Sequence, residues 1–234
     1  MLTLQTLLKP LKRVMAVLDD LLFPEKLGCL LCDELSHGEW LCEDCVKRLA
    51  AVRRKKQHAG LYSAYWYDGA AKQLVHTLKF DAVRGAATVL AEAMAEEATK
   101  FDMPADTVVT WVTMPTRRRL ARGIDHGREL AQEVATRLGL QTRQLLVRLG
   151  KAKNQRRLKA EARQKNLLGV FGATGKLSGT VLLVDDVYTT GATMRVCSEV
   201  LRQAGAERVI ALTATCVANC FKTEENDTDE REAE

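Results

Sequence analysis

The stretch VLLVDDVYTTGAT, residues 181–193, decides the fold of this chain. Four apolar residues run straight into two adjacent aspartates, Asp185 and Asp186, and a cluster of threonines around one glycine follows. The apolar run predicts a buried strand of a parallel sheet over residues 180–186, because both faces of such a strand are covered. In open α/β sheets, ligands bind beyond the carboxyl ends of the strands. The two acids are therefore expected at the edge of the sheet where a ligand binds.

The acid pair and the threonine turn together predict a ribose 5-phosphate site. Two neighbouring carboxylates repel each other unless ribose hydroxyls or a hydrated magnesium ion satisfy them. Main-chain amides and threonine hydroxyls at a helix N-terminus can hold a phosphate, and a glycine lets the backbone approach the anion. An aspartate loop followed by a threonine helix cap is the alternative that the residues alone leave open. The predicted ligand contacts are Asp185, Asp186, Thr189, Thr190, Gly191, Ala192 and Thr193.

Strand and helix patterns alternate along the rest of the chain. Further strands are predicted at LYSAYWYDG (61–69), which ends in an Asp-Gly turn, at VVTWVTMP (108–115), which Pro115 stops, and at RVIALTATC (208–216). Apolar residues at helical spacing occupy AAKQLVHTLKF, ATVLAEAMAEEATKF, residues 126–140 and residues 192–206. The alternation predicts an α/β fold with a parallel sheet and helices on both of its faces.

Composition places the chain among ordinary folded proteins. Of its 234 residues, 47% are apolar and 28% are charged. No run of about 18 uncharged apolar residues occurs, so no membrane span is predicted. Residues 1–24 are apolar in patches, but Lys9 and Lys12 interrupt any secretory signal, so an amphipathic helix and a cytoplasmic protein are predicted. Residues 222–234 hold seven acids and two bases and are predicted to be a disordered tail.

Basic residues are concentrated in the second half of the chain. Residues 117–165 hold fifteen Lys and Arg against four Asp and Glu. Such a block favours a polyanionic ligand, pyrophosphate or nucleic acid, with an ordinary solvated helical face as the alternative. Within it, residues 148–171 are polar and lack a strong period, which is typical of a lid, a binding loop or disorder. The basic face could also be an interface in an oligomer, so the oligomeric state is left open.

Four of the seven cysteines form two C-x2-C pairs nine residues apart, at Cys29, Cys32, Cys42 and Cys45. Each pair can form a tight turn whose sulphurs converge on one ion, and a closed tetrahedral set of thiolates favours structural zinc. Disulfides are the alternative, although a reducing cytosol disfavours them. His37 lies between the pairs and is interpreted as a loop residue, since four thiolates already satisfy the ion. The segment is too short for a core of its own, so zinc binding and folding are expected to be coupled.

The remaining cysteines and the other histidines carry no predicted chemistry. Cys197 and Cys216 fall in a helix and a strand, where a buried small side chain is the usual role, and Cys220 has no partner of its own. His76 and His126 lack an evident carboxylate partner in the sequence, so neither is taken as a general base and the catalytic residues stay unknown. GVFGATGKLS (169–178) is similar to a Walker A loop, but its glycine spacing and its final residues do not fit one, which excludes an ATPase.

The motif DDVYTTGAT resembles the signature with which type I phosphoribosyltransferases bind 5-phosphoribosyl 1-pyrophosphate (PRPP). Four further segments are similar, in the same order, to the ComF family of competence-associated proteins: LLFPEKLGCLLC, HTLKFDAVRG, MPTRRRLARGIDHGRELA and NQRRLKAEARQKNLLGVF. The resemblance spans roughly residues 21–216. It departs from the family at residues 122–126, where the usual RGFNQ is RGIDH. Relatives often carry extra cysteine pairs, so a single zinc ion is expected here.

The resemblance implies a type I phosphoribosyltransferase-like parallel sheet with flanking helices and a small N-terminal four-cysteine zinc-ribbon module. The implied divisions are an amphipathic helix at 1–24, the zinc ribbon at 25–58, a phosphoribosyltransferase-like domain at 59–221 and the acidic tail at 222–234. The resemblance also implies that PRPP is bound together with magnesium. It further implies a role in DNA uptake or in the handling of single-stranded DNA, with proteins of the competence machinery as partners.

The same resemblance points to residues for the diphosphate of PRPP. MPTRRR is similar in position to the loop that holds pyrophosphate in phosphoribosyltransferases, so Thr116, Arg117, Arg118 and Arg119 are candidates, and Lys79 is a further one. Gln155, Arg163 and Asn166 lie in the basic segment that would cover the site as a hood. Three functions stay open: an active transferase, an adaptor that binds PRPP or a nucleotide without turnover, and a nucleic-acid-binding protein.

Overall fold

The computed structural model describes residues 28–54, 61–81, 83–149 and 169–218 of the chain. Two compact units divide between Lys47 and Arg48, the smaller with the paired cysteines and the larger with the central sheet. Several predictions lie outside the described residues: the helix at 1–24, the acidic tail, Cys220, and the hood residues Gln155, Arg163 and Asn166.

Short turns shape the described part of the smaller unit. Cys29 N donates to Glu34 O at 2.7 Å and Asp33 N donates to Cys29 O at 3.0 Å, with Asp33 at a φ of 60°. Helix α1, Glu43–Ala51, begins directly after Cys42 and extends across the division between the units. Glu43 and Asp44 favour a helix start there, because acidic side chains interact favourably with the helix N-terminus.

The described part of the larger unit contains five further helices. They are α2 (Gly69–His76), α3 (Arg84–Ala98), α4 (Thr116–Arg122), α5 (His126–Leu138) and α6 (Ala192–Gln203). Helix α2 continues into a π-helical turn, Thr77–Asp81, which we call the π turn. Gly139 ends α5 with a φ of 68°, which confirms the predicted stop. None of the helices in the described ranges is long and apolar enough to cross a membrane.

Five parallel strands form the central sheet, which confirms the predicted α/β class. The strands of the described residues are β1 (Leu61–Trp66), β2 (Val108–Trp111), β3 (Gln141–Thr142), β4 (Leu146–Arg148), β5 (Phe171–Ala173), β6 (Thr180–Tyr188) and β7 (Arg208–Cys216). The sheet has the order β1-β7-β6-β2-β3, and β4 pairs antiparallel with β5 in a separate ribbon. Strand β7 has the predicted boundaries, residues 208–216.

The strand order changes direction between β6 and β2. From β2 the chain continues outward to β3, whereas from β6 it crosses to β7 on the opposite side. Such a switch opens a crevice at the carboxyl ends of the two neighbouring strands, because their connections leave in opposite directions. The loops that follow β2 and β6 border this crevice.

The apolar run that opened the sequence analysis lies in the core of the sheet. Val181, Leu182, Leu183 and Val184 are each at most 1% exposed. A fully buried leucine or valine stabilises a protein by roughly 1.5–3 kcal/mol relative to an exposed one, so these four residues hold β6 in place. The prediction that Cys197 and Cys216 are buried small side chains is confirmed, since both are completely covered.

Four predicted local structures differ from the structure. Strand β2 ends at Trp111, before the predicted Pro115. The last four residues of MPTRRR begin a helix instead of a loop, because Pro115 O accepts hydrogen bonds from Arg118 N at 2.9 Å and Arg119 N at 3.1 Å. Strand β6 continues past the acids to Tyr188, because its pairing with β7 extends to Tyr188 opposite Cys216. The Asp-Gly pair after β1 starts α2, because Asp68 Oδ1 accepts from Gly69 N at 2.7 Å.

Candidate functional site

The acid pair lies where the strand order switches. Strand β2 pairs with β6 only as far as Trp111 opposite Val184, and Val112 N still donates to Val184 O at 3.1 Å. Beyond that point β6 continues beside β7 alone, with Asp185 opposite Thr213. Asp185 and Asp186 therefore lie just past the end of β2, on the part of β6 that borders the crevice.

Asp186 is the buried member of the pair. It is 5% exposed, and its Oδ2 lies 2.8 Å from Lys79 Nζ and 3.0 Å from His126 Nε2. Burial raises the pKa of Asp186, but the hydrogen bond with His126 and the charge of Lys79 outweigh it, so the pKa is lowered overall. Asp186 is thus an ionised carboxylate whose charge is compensated within the protein. Lys79, a predicted diphosphate contact, is bound to this acid.

Asp185 is the more accessible member of the pair. Part of the residue is exposed, although its carboxyl is largely surrounded by protein, and its Oδ1 accepts a hydrogen bond from Asp186 N at 2.9 Å. Burial, followed by the negative charge of Asp186, raises the pKa of Asp185 to about 8. A hydrogen-bond donor or a cation at Asp185 would relieve this repulsion, so the pair is suited to hydroxyl groups or a hard metal ion.

His126 joins the site although the sequence did not predict it. It is the first residue of α5 and 9% exposed, and its Nδ1 lies 3.3 Å from Arg122 Nη1. The Arg122 guanidinium lies 5.1 Å from the centre of the Phe80 ring in the π turn. His126 and its carboxylate partner are distant in the sequence, so spacing could not pair them. The departure of RGIDH from RGFNQ was the one signal at this position.

The threonine turn follows the acids and starts α6. Thr189 and Thr190 are exposed, and Gly191 occupies the N-cap position of α6 with a φ of 72°. No described side chain caps this helix, so the amides of its first turn are not satisfied by a capping side chain. A Cβ on Gly191 would collide with the Tyr188 hydroxyl and ring, so the glycine is needed for packing as well as for its backbone conformation.

Helix α4 carries the predicted diphosphate residues Thr116, Arg117, Arg118 and Arg119, and all four are exposed. The amides of Arg118 and Arg119 already donate to Pro115 O, so these two residues have only side chains to offer an anion. Helix α4 is joined to the acid pair through Arg122, which contacts His126. The basic residues and the acids are thus connected by one chain of contacts.

The ribbon of β4 and β5 borders the predicted hood in the sequence. Arg148, at the end of β4, lies with its guanidinium 4.9 Å from the centre of the Phe171 ring at the start of β5. Burial lowers the pKa of Arg148, and the positive charge of Arg118 lowers it further. The positive charge of Arg118 on α4 therefore affects Arg148 at the end of β4, the strand that precedes residues 150–168 in the sequence.

Thr113 is a second residue that the sequence did not single out. It lies two residues after the end of β2, is 7% exposed, and its hydroxyl has no hydrogen-bond partner among the described residues. Buried hydroxyls in proteins almost always have a partner, in the protein or in water. The loop that borders the crevice therefore holds a polar group that a bound molecule could satisfy.

The four paired cysteines form a compact set in the smaller unit. Their sulphurs all lie within 4.8 Å of one another, and Cys32 Sγ is 3.6 Å from Cys42 Sγ. Sulphur ligands about 2.3 Å from a tetrahedral ion lie roughly 3.8 Å apart, so the set could hold a metal ion. Burial raises the pKa of Cys29, but hydrogen bonds from the Cys42 and Leu31 amides outweigh it and lower the pKa to about 7. His37 is exposed and outside the set.

Comparison with known families finds a match within the larger unit. The phosphoribosyl transferase domain model matches residues 124–232, a range that includes α5, the acid pair, the threonine turn, α6 and β7. The match covers somewhat less than half of the chain, so residues 124–232 are similar to a phosphoribosyl transferase domain, and they contribute to a parallel α/β sheet with flanking helices. No curated protein matches the chain significantly.

Solved structures with some likeness to the chain include an allosteric regulatory enzyme of purine biosynthesis, with 18% identity and a TM-score of 0.41, over 60% of this chain and 30% of that one. The glutamine PRPP amidotransferase from B. subtilis has 20% identity and a TM-score of 0.42 over 60% of this chain and 30% of its own. The orotate phosphoribosyltransferase from Aeropyrum pernix has 17% identity and a TM-score of 0.38, over 78% and 97%. The matching part of the chain thus spans less than a third of the first two proteins.

Proposed function

We propose that the larger unit binds PRPP at the crevice between β6 and β2. The observation that carries the proposal is the acid pair itself. Asp185 and Asp186 lie past the end of β2, directly before a threonine turn whose helix no described side chain caps. The acid pair accepts hydrogen bonds from hydroxyl groups, and the amides of the threonine turn donate to anions. Together they suit a sugar that carries a phosphate at its far end.

Each part of the ligand has a proposed partner. The amides and hydroxyls of Thr189, Thr190, Gly191, Ala192 and Thr193 hold the 5-phosphate at the N-terminus of α6. The carboxylate of Asp185 accepts from the ribose hydroxyls, while Asp186 is paired with Lys79 and lies within 3.0 Å of His126 Nε2. Oxygen ligands of this kind suit magnesium, which would enter with PRPP and neutralise its diphosphate.

The diphosphate is proposed to meet the basic face of α4. Arg117, Arg118 and Arg119 have exposed side chains, and the Thr116 and Arg117 amides at the helix start complete this set of donors. Lys79 contributes its charge from beside Asp186. Gln155, Arg163 and Asn166 remain proposed hood residues that would exclude water from the sugar.

Transfer of the ribosyl group is the proposed reaction class. In such a transfer, a nucleophile forms a bond to the anomeric carbon while the bond to pyrophosphate breaks, and the leaving group takes the electron pair. The protein's contribution would be electrostatic, because charge grows on the diphosphate beside the arginines of α4. An adaptor that binds PRPP without turnover is the alternative, and the two share the same site.

A role in the handling of single-stranded DNA, within the competence machinery and as a ComF-like protein, is the finer proposal. The resemblance of the ordered motifs supports it, and so does the exposed basic surface of α4. The cysteine set is proposed to hold one structural zinc ion, in a module at 25–58 beside a phosphoribosyltransferase-like domain at 59–221. The cytoplasm is the proposed location, since a reducing compartment would keep the four thiolates available to the metal.

Phosphorus NMR tests the binding proposal. Titration of PRPP and magnesium with the protein should shift or broaden the 5-phosphate resonance, and ribose 5-phosphate should compete. An unchanged 5-phosphate signal at saturating protein would refute the site.

Pyrophosphate release from PRPP, measured with bases, amines and short DNA ends as acceptors, then separates the transferase from the adaptor. Release that requires one acceptor supports the transferase, and binding without release supports the adaptor.

A further inference from the structure

We propose that His126 is a positioning residue, which holds the Asp186 carboxylate through Nε2 while Arg122 selects its tautomer through Nδ1. The predicted effect of His126 on PRPP affinity rests on the proposed function, whereas the predicted tautomer of the imidazole does not. The sequence left His126 without a role, and neither the family match nor the likeness to solved structures gives it one. Its test is therefore designed to be separable from the test of the site itself.

The hydrogen-bond roles follow from the chemistry of the three groups. Arg122 Nη1 lies 3.3 Å from His126 Nδ1, and a guanidinium can only donate. Nδ1 must therefore be the acceptor, which places the proton of a neutral imidazole on Nε2. Nε2 lies 3.0 Å from Asp186 Oδ2, a buried oxygen that has no well-aligned hydrogen bond in the described residues. At this distance a small rotation of the ring lets the carboxylate accept the Nε2 proton. The contacts define one direction of donation, from Arg122 to His126 to Asp186.

The backbone keeps the imidazole at this place. His126 is the first residue of α5, and Asp125 Oδ1 accepts a hydrogen bond from Arg128 N at 3.3 Å, which caps the helix. A Cβ on Gly127 would lie 3.2 Å from Trp111 Cδ1 and 3.2 Å from Val112 O. The glycine thus permits α5 to start directly against the end of β2. A histidine in this position is held beside the acids with little freedom to turn away.

The charged groups around Asp186 explain why His126 is useful as a second donor beside Lys79. Lys79 Nζ approaches the same oxygen of Asp186 at 2.8 Å, but it ends a flexible side chain, whereas an imidazole fixes an angle. Asp185 is adjacent and repels Asp186. Glu129, three residues further along α5, pairs with Arg84 of α3 at 3.5 Å, and Arg122 is the cation observed at Nδ1. His126 therefore sets the orientation of the Asp186 carboxylate, which Lys79 attracts and Asp185 repels.

The arrangement also links the acids to α4. Arg122 belongs to the helix of the diphosphate candidates, and its guanidinium lies over Phe80, next to Lys79 in the sequence. Movement of α4 on an anion would change the contact with Nδ1, and through it the position of Asp186. The segment RGIDH thus places a ring where RGFNQ would place an amide. Glutamine can also donate to a carboxylate, so it is the conservative replacement at position 126.

Substitution at position 126 tests the role. Calorimetry with PRPP and magnesium should show that His126→Ala binds PRPP about tenfold or more weakly, the effect expected when a hydrogen bond to a charged group is lost. His126→Gln should recover affinity to within about threefold of the original protein, because an amide N–H restores the donor. His76→Ala is the matched control and should bind normally. It removes an exposed histidine whose ring centre lies 5.1 Å from that of Phe80, with the two rings tilted by 45°.

Equal affinity of His126→Ala and the original protein would overturn the positioning role. So would a glutamine variant as weak as the alanine variant while both keep the original melting temperature. Nitrogen NMR of the imidazole, recorded without ligand, should show a proton on Nε2 and none on Nδ1, and Arg122→Met, which has no donor, should weaken this preference. A proton on Nδ1 would overturn the inference. If the original protein fails to bind PRPP, the proposed function falls, and the tautomer alone then decides the present inference.

Discussion

Asp185 and Asp186 are adjacent in the sequence, but their surroundings shift their pKa values in opposite directions. Asp186 has a lowered pKa because hydrogen bonding by His126 and the charge of Lys79 outweigh the effect of burial, whereas burial and the charge of Asp186 raise the pKa of Asp185 to about 8. A pair of carboxylates whose pKa values are pushed apart is typical of a functional site. The protein tolerates the repulsion because one of the two charges is already paired.

The raised pKa of Asp185 predicts a pH dependence of stability. The native protein retains a proton that the unfolded chain releases above its usual pKa of 3.8. The stabilisation is complete below that value and is lost as the pH rises towards about 8. The melting temperature should therefore fall more steeply between about pH 5 and 8 for the original protein than for Asp185→Asn, whose amide does not titrate. Parallel melting curves of the two proteins would contradict the prediction.

Substitution of Gly191 tests the packing of the threonine turn. Gly191→Ala forces a side chain into a φ of 72° and against the Tyr188 ring. Gly139→Ala is the matched control, since its φ is 68° and its Cβ would meet nothing within 4 Å. The control should cost about 1 kcal/mol of the free energy of unfolding, and Gly191→Ala about 1–3 kcal/mol more, measured by urea denaturation. Equal losses would show that the tyrosine contact is unimportant.

At the scale of elements, short structures carry the chemistry and long ones hold them in place. Strand β6 is fixed by its buried apolar run, and it presents the acids only because β2 is shorter and ends at Trp111. The π turn after α2 supplies Lys79, and the start of α5 supplies His126. Three elements that are distant in the sequence thus converge on one carboxylate.

The cysteine turns make a separate prediction at this scale. One zinc ion should be bound per chain, and Cys42→Ser should lose it, because the hydroxyl is a poor substitute for a thiolate. Metal analysis after dialysis measures the content. Cys197→Ala is the control, since that sulphur is buried outside the set, and it should retain the metal. Full zinc content in Cys42→Ser would contradict a four-thiolate site.

At the scale of the whole molecule, charge separates two uses of the same surface. The chain carries a net charge of +5 although residues 222–234 are acidic, so the remainder is strongly basic. The affinity for a nucleic-acid backbone depends on the number of cations on the protein, whereas the affinity for PRPP depends on the acid pair and the threonine turn. Binding of DNA and binding of PRPP should therefore depend on different residues.

Salt dependence of DNA binding makes this separation measurable. The affinity for single-stranded DNA should fall steeply with salt, and replacement of Arg118 by Gln should reduce the slope of log K against log salt by about 0.7. Asp185→Asn should leave that slope unchanged, since it removes no cation. Fluorescence anisotropy with a labelled oligonucleotide gives both slopes. A slope that depends on Asp185 and not on Arg118 would contradict the assignment.

The sequence predicted the class of fold, because apolar runs and glycine stops are local signals, whereas the predicted end of the strand at the acid pair was two residues short. Strand β7 and the end of α5 at Gly139 match their predicted bounds closely. Helix α4 was predicted as a loop, because only the structure shows that Pro115 O accepts two amides. His126 and Thr113 were missed, since contact between distant residues and an unsatisfied hydroxyl leave no local pattern.

Calorimetry with PRPP and magnesium tests the central claim most directly. Asp185→Asn keeps the size of the side chain and leaves the buried pairing of Asp186 in place, so the fold should survive. Asp102→Asn, an exposed acid before β2 whose backbone carbonyl accepts from Arg208, is the matched control. The original protein and the control should bind PRPP with equal heats, and Asp185→Asn should lose most of its affinity. Equal heats from all three proteins would contradict a ribose 5-phosphate site at the acid pair.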